Sequence, residues 1–370
     1  MNRVLFGMAT CMALWNFGSR PELRADETIV FYPTAAARDA DGVWRVPIHA
    51  NVHEPDIDSM KRRVLLTLLA GVIDARSKDV DTDLFKTRAR VFLVENEKGK
   101  EIRIKLPVGD ANVGKSAANG HATGELTLDD AQARQLGGIG KSPWLKLPAV
   151  LPEAERRTFT ADVQLIEPRG LSVISDLDDT IKISQVADRR ELLRNTFLKP
   201  FVAVPGMAEQ YARWESDGAV FHYVSSSPWQ LFGVLEEFRV NEKFPSGTWT
   251  MKHLRLTDRS AVEFFRGHES YKSNAIEQFL SRYPQRKFVL VGDTGEDDPE
   301  IYGAVARKHP AQVVKILIRD SKSGKESPER NKAAFADLPD GTWQVFTDAK
   351  ELREALKPEW FATDKSSKVP

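Results

Sequence analysis

The sequence predicts an α/β protein in two parts: a β-rich, sandwich-like first half and a three-layer α/β/α second half. Three observations carry this. Apolar residues alternate with a period of two up to about Glu167. From Leu171 short apolar strands alternate with helical stretches, which implies a parallel sheet covered by helices on both faces. The 370 residues are also enough for about two domains. Lys+Arg and Asp+Glu both number 53, so the formal net charge is zero, which argues against wholesale nucleic-acid binding. Cys11 is the single cysteine, excluding an intramolecular disulfide and a cysteine-based zinc site. A mean hydropathy of −0.38 excludes a polytopic membrane protein.

Residues 1–25 read as a signal peptide. Arg3 precedes an apolar run from Val4 to Trp15, and Ser19 and Ala25 offer cleavage points. That run is shorter than the roughly 20 residues of a membrane span. The expectation is an exported, periplasmic or secreted protein with no membrane span in the mature chain.

Residues 26–168 form the expected β-rich domain. Trp44, Val46, Ile48, Ala50 and Val52 alternate, as do Phe159, Ala161, Val163 and Leu165. Between Arg90 and Leu106, two apolar runs flank Asn96–Lys100, which predicts a hairpin. Asn112 to Ala122, rich in Gly, Ala and Asn, reads as a loop. A helix opens near Asp58 and Ser59 and runs to Ile73, expected to pack on its own sheet.

Residues 169–350 form the expected catalytic domain, and 351–370 a polar tail. The strands are Ser172–Ile174, Val220–Val224, Phe288–Val291 and Val313–Ile318, and the helices include Met207–Ser216, Trp229–Phe238 and Ser273–Tyr283. In an open parallel sheet, ligands bind beyond the carboxyl ends of the strands. The first strand ends in Asp176-Leu177-Asp178-Asp179-Thr180, two carboxylates placed for a nucleophile and a proton donor. The second ends in Ser225-Ser226-Ser227-Pro228, hydroxyls and amides suited to phosphate. A third ends in Gly292-Asp293-Thr294-Gly295-Glu296-Asp297-Asp298, oxygen donors suited to a hard cation. Lys272 lies ahead of that strand. Taken singly, an acidic turn caps a helix and most lysines are solvated; their order along the chain carries the weight.

Asp-x-Asp, then Ser, then Lys, then Gly-Asp-x-x-x-x-Asp resembles the haloacid dehalogenase (HAD) superfamily. The strings "SVISDLDDTIKIS", "FHYVSSSPWQL" and "FVLVGDTGEDDPEIY" resemble the phosphatidate phosphatase family typified by the yeast actin-patch phosphatase. Bacterial relatives share the β-rich half, with segments like "GVWRVPIHANVHEP". The resemblance implies a HAD-like, Rossmannoid catalytic domain. It implies Asp176 as nucleophile, Asp178 as general acid/base, Ser225 and Lys272 on the phosphoryl group, and Mg2+ held by Asp176, the Asp178 carbonyl, Asp293 and Asp298, with Asp297 competing for the last place. Asp179 and Thr180 would shape the turn.

The short intervals from Thr180 to Ser225 and from Ser225 to Lys272 leave room for little or no cap. An open site suits a bulky lipid phosphate such as phosphatidate, met at a membrane surface and cleaved to diacylglycerol. A phosphatase for a soluble or protein phosphoester, and a non-catalytic lipid-binding module, are the alternatives.

Overall fold

The computed structural model describes residues 21–55, 67, 70–71, 82–138, 143–253, 269–322 and 327–362. Most of the leader and most of the helix expected over 58–73 lie outside them. Among the described residues no helix is long and apolar enough to cross a membrane.

The first half contains β1 (Thr28–Tyr32), β2 (Thr34–Arg38), β3 (Trp44–Glu54), α1 (Asp83–Arg90), β4 (Glu95–Asn96), β5 (Glu101–Leu106), β6 (Gly109–Lys115), β7 (His121–Leu128), α2 (Asp130–Gln135), β8 (Trp144–Pro148) and β9 (Thr160–Ile166). Seven strands make one sheet in the order β1-β3-β2-β9-β8, with β4 and β7 also on β3. The strands β5 and β6 form a separate hairpin. Alternation along β3 buries Trp44, Val46, Ile48, Ala50 and Val52 in one core with Leu145, Leu147, Ala161 and Val163.

The second half contains β10 (Leu171–Ser175), α3 (Arg189–Phe197), α4 (Met207–Ser216), β11 (Val220–Pro228), α5 (Phe232–Asn241), β12 (Gly247–Lys252), α6 (Glu269–Arg282), β13 (Lys287–Asp293), α7 (Asp298–Lys308), β14 (Val313–Arg319), α8 (Pro328–Ala334) and β15 (Trp343–Phe346). Its six strands are parallel, in the order β12-β11-β10-β13-β14-β15. Val173, Val291 and Leu317 enter one core with side chains of α3, α4 and α5. Ile174, Leu290 and Ile316 enter another with side chains of α6 and α7. Burial on both faces is why these strands read as unbroken apolar runs. The chain builds outward from β10 through β11 and β12, then returns to place β13 on the other side of β10. The crevice at that reversal is where such sheets bind ligands.

Several expectations are corrected. No hairpin spans Arg90–Leu106, because β4 pairs with β3 and β5 with β6; residues 83–90 ahead of them are helical, capped by Thr82, whose hydroxyl accepts from Phe85 N–H at 3.2 Å. Phe85, Ala89 and Phe92 are buried in the core of the second half. Arg88 donates to the carbonyls of Thr196 (2.7 Å), in the last turn of α3, and Lys199 (2.6 Å), just past it, where carbonyls lack helical donors. Asn112–Ala122 is not a loop, because β6 and β7 claim all but 116–120. The tail does not begin at 351: Leu352 is fully buried, and Trp360 and Phe361 pack on the same core. The halves also share side chains, with Tyr32 in one core of the second half and Ala35 and Ala37 in the other.

Under β10 lies a buried polar group. Arg286 donates to Ser172 Oγ (2.9 Å) and to the carbonyls of Glu167, Arg169 and Leu171. His222 pairs with Thr248 Oγ1 (2.7 Å) and Ser172 Oγ (3.3 Å). Burial first and Arg286 second push the His222 imidazole down to about 3. Its folded value lies below the roughly 6.5 of an unfolded histidine, so the unfolded chain takes up the proton first as pH falls. Stability should drain between about pH 6.5 and 3, by up to about 1.4 kcal/mol per pH unit. Urea denaturation near pH 7 and near pH 5 should show the native chain losing about 2 kcal/mol more than His222→Gln over that interval. Equal losses would show that His222 does not exclude the proton.

Candidate active site

The first carboxylate is placed by the β-ladder itself. Asp176 is the residue after β10, and its N–H donates to Val291 O at 2.9 Å, carrying the pairing with β13 one step further. Thr180 Oγ1 donates to Asp176 Oδ2 at 3.2 Å. The chain then turns sharply at Asp179, whose φ of 54° lies in the left-handed region. That turn is held by the Asp179 carboxylate, which accepts the N–H groups of Ser184 (2.8 Å), Gln185 (2.9 Å) and Val186 (2.7 Å). Arg319 donates to the Asp179 carbonyl at 2.6 Å.

The acidic loop follows β13. Asp298 opens α7 and folds back so that its Oδ2 accepts Asp293 N–H at 3.2 Å. Glycine at 292 is what permits this: a Cβ there would stand 2.3 Å from Asp298 Oδ2 and 2.7 Å from Tyr302. Arg330 of α8 straps the loop by donating to the carbonyls of Thr294 and Glu296, both at 2.6 Å, and pairs with Glu300 at 2.7 Å.

Lys272 of α6 joins the two loops. Its ammonium lies 2.9 Å from Asp176 Oδ1, 2.7 Å from Asp298 Oδ1 and 2.6 Å from Glu296 Oε2, with the side chain almost wholly buried. Oxygens of Asp176, Asp293, Glu296 and Asp298 all lie within 4.8 Å of one another. One lysine does not balance four acids. Burial first, then the neighbouring acids, hold the Asp176 and Asp293 carboxyls well above the usual carboxylate range against the pull of Lys272; burial also raises Glu296. Asp293 Oδ1 is buried with no hydrogen-bond partner. An all-oxygen donor set with an orphaned buried oxygen fits a hard divalent cation.

The structure thus brings together Asp176, Lys272, Asp293 and Asp298, while Asp297 is exposed at the start of α7. Asp178 points elsewhere: its carboxylate lies 2.6 Å from Lys182 Nζ and accepts the hydroxyls of Ser184 (2.6 Å) and Ser227 (3.2 Å). Burial, which raises Asp178, is outweighed by Lys182 and the two hydroxyls, and its pKa falls below the ordinary value. Ser225 is buried and its hydroxyl accepts Ser227 N–H at 3.0 Å, where the β11–β12 register shifts. Glu296, Lys182, Ser184, Ser227 and Arg330 were not singled out from the sequence, although all but Arg330 lie within the quoted strings.

The fold and site define an α/β domain with an acidic cluster beside a strand-end aspartate, a group of carboxylates that could hold a metal ion. Residues 171–320 match the family model described as phosphatidate phosphatase APP1, catalytic domain. Phosphatidate phosphatase APP1 of Saccharomyces cerevisiae is 35% identical over 166 residues, covering 44% of this chain. An uncharacterised Schizosaccharomyces pombe protein is 29% identical over 168 residues, again 44% of this chain. The chain spans 27% of the length of each of these curated relatives. A solved structure of D,D-heptose 1.7-bisphosphate phosphatase from B. bronchiseptica, complexed with magnesium and phosphate, covers 50% of this chain and 96% of its own at 12% identity and a TM-score of 0.23.

Lys272→Met should leave Asp176, Glu296 and Asp298 crowded without their cation. Removing one partner of a buried pair costs about 3–5 kcal/mol, to be read by chemical denaturation. Excess Mg2+ should restore more stability to the variant than it adds to the native chain. Undiminished stability would show that the lysine does not hold the cluster together.

Proposed function

We propose that this chain is a Mg2+-dependent phosphomonoesterase of the HAD type, acting on phosphatidate or a related lipid phosphate. The observation that carries the reading is the strand-end Asp176, gripped by Lys272 within an oxygen-only cluster, inside the segment that matches the APP1 catalytic-domain family model. Helices against both faces of the parallel sheet support the three-layer arrangement of that superfamily.

In this reading Asp176 attacks phosphorus and the P–O ester bond breaks, leaving an aspartyl-phosphate and an alkoxide. Asp178, having taken up a proton from solvent as the phosphate dianion arrives, gives that proton to the alkoxide. Asp178 then takes a proton from water as that water attacks the aspartyl-phosphate, and inorganic phosphate leaves. A phosphomonoester carries about −1.5 to −2 charge, which repels a carboxylate nucleophile. Bound Mg2+, held by Asp176, Asp293 and Asp298 with Glu296 beside them, supplies the offsetting positive field. Lys272 adds to that field, and Ser225 offers its hydroxyl proton to the phosphoryl oxygens. Lys182 keeps Asp178 as a carboxylate, the form needed for the water step.

The lipid preference is supported by two apolar side chains beside the site. Ile183 and Val202 are 37% and 54% exposed, joined by a backbone hydrogen bond, and Ile183 sits between Lys182 and Ser184, which hold Asp178. Such a pair suits an acyl chain better than bulk water.

Phosphate release should be measured from phosphatidate in vesicles, short-chain phosphatidate, a nitrophenyl phosphate and a phosphopeptide. The expected result is preference for phosphatidate and loss of all turnover in excess EDTA. Preference for the phosphopeptide or the aryl ester would overturn the lipid reading, and full activity in EDTA would overturn the metal. Ile183→Ser/Val202→Ser should lower vesicle hydrolysis more than hydrolysis of the short-chain ester.

Asp176→Asn should abolish both phosphoenzyme and turnover, since an amide is no nucleophile. Asp178→Asn should slow cleavage of a diacylglycerol leaving group by about 10²–10⁴-fold. Nitrophenolate departs without a proton, so its first step should suffer less and then stall as phosphoenzyme. Equal slowing for both leaving groups would remove Asp178 from the acid role.

A further inference from the structure

Away from the acidic cluster, three histidines meet where the halves touch. His49 lies in β3, His121 opens β7 and His253 follows β12. His49 Nε2 and His121 Nδ1 are 2.9 Å apart, and the His121 and His253 rings stand perpendicular with centroids at 4.4 Å. One nitrogen from each of the three rings lies within 4.8 Å of the other two. A tetrahedral Zn2+ holds imidazole nitrogens at about 2.0–2.1 Å, which sets two ligand nitrogens about 3.3 Å apart. The 2.9 Å pair is a little closer than that and the third nitrogen lies no more than 4.8 Å away, so small ring rotations would converge the three on one point.

We propose that His49, His121 and His253 hold a transition-metal ion of the Zn2+ class, stapling β3 and β7 of the first half to the end of β12 in the second. The donor chemistry separates this centre from the acidic one. An all-imidazole set suits Zn2+, Cu2+, Ni2+ or Co2+, whereas an all-carboxylate set suits Mg2+. Aromatic side chains enclose one side of the centre. Tyr32 and Trp229 wall the cluster, with ring centroids 4.7 Å from that of His49 in each case. His49 and His121 are half-buried and His253 is exposed. His49 and His253 also line a groove of about 480 Å³, leaving room for a fourth ligand from solvent. The proposal stands apart from the phosphatase reading.

The test is cobalt titration of the metal-stripped full chain, read by visible absorption. One equivalent should give the intense band of tetrahedral Co2+, and Zn2+ should displace it. His253→Ala removes an exposed side chain, so the fold should survive. It should weaken binding by more than tenfold, since loss even of a residue that only orients a ligand costs about 10–100-fold. His121→Ala should do the same, while Asp293→Asn should keep the band. Thermal midpoints with and without Zn2+ give a second readout: the native chain should gain and His253→Ala should not. No tetrahedral band, or a band that survives His253→Ala, would overturn the proposal. Mg2+-dependent phosphate release without a cobalt band would defeat this inference alone. A cobalt band without phosphate release would defeat only the enzymatic reading.

Discussion

The site depends on one buried ammonium. Lys272 reaches Asp176 from β10, and Glu296 and Asp298 from the loop after β13, with all three N···O distances between 2.6 and 2.9 Å. It can do so because α6 precedes β13 and packs on the sheet through Ala275, Ile276 and Leu280, which carries the lysine to the end of the central strands. The same constraint explains Gly292, where any side chain would strike Asp298, and Arg330, which holds the loop carbonyls so that Glu296 cannot swing away. Buried ions are seldom kept for stability, since apolar residues of similar volume often do as well or better. An excess of buried acids round one lysine is a charge arrangement that fits a bound cation.

The two halves form one packed body rather than a catalytic unit with a loose appendage. Phe85, Ala89 and Arg88 of α1 close one end of α3. Arg286 gathers three carbonyls from the segment that joins the halves. The histidine cluster and Tyr32 meet Trp229, which follows the serine run of β11. Through Ser227 that run also touches Asp178. The first half therefore packs behind a strand end that belongs to the site.

Elements with simple periodicity were legible in the sequence. The doubly buried strands announced themselves as apolar runs, and Met207–Ser216 has the bounds read from its pattern. Helix α1 was not legible because its buried face includes Arg88, a polar letter whose burial is satisfied by carbonyls over 100 residues away. The hairpin β5–β6 keeps many side chains exposed, so its glycines and asparagines read as loop. Within the site, Asp176 and Asp293 stand at strand ends, whereas Lys272 and Asp298 took their places from the family resemblance, with Asp297 left competing for the last position. Glu296 could not be chosen over Asp297 from an unbroken acidic run, because only the backbone path decides which side chain turns inward.

Asp176 and Asp178 are two residues apart and both buried, yet their proton affinities move in opposite directions. Burial raises both. The difference lies in company: Asp176 shares one lysine with other acids, while Asp178 has Lys182 and two hydroxyls to itself. These directions are the reverse of what the first proposed step needs, an ionised Asp176 and a protonated Asp178. The acid step of the proposed reaction requires Asp178 to carry a proton that Lys182 opposes, whereas the water step requires the carboxylate that Lys182 favours. An arriving phosphate dianion adds negative charge beside the pair and shifts the balance toward protonation; departure of the alkoxide with that proton restores the Asp178–Lys182 ion pair. The pair thus favours the second half of the reaction, and the charge of the substrate must drive the first.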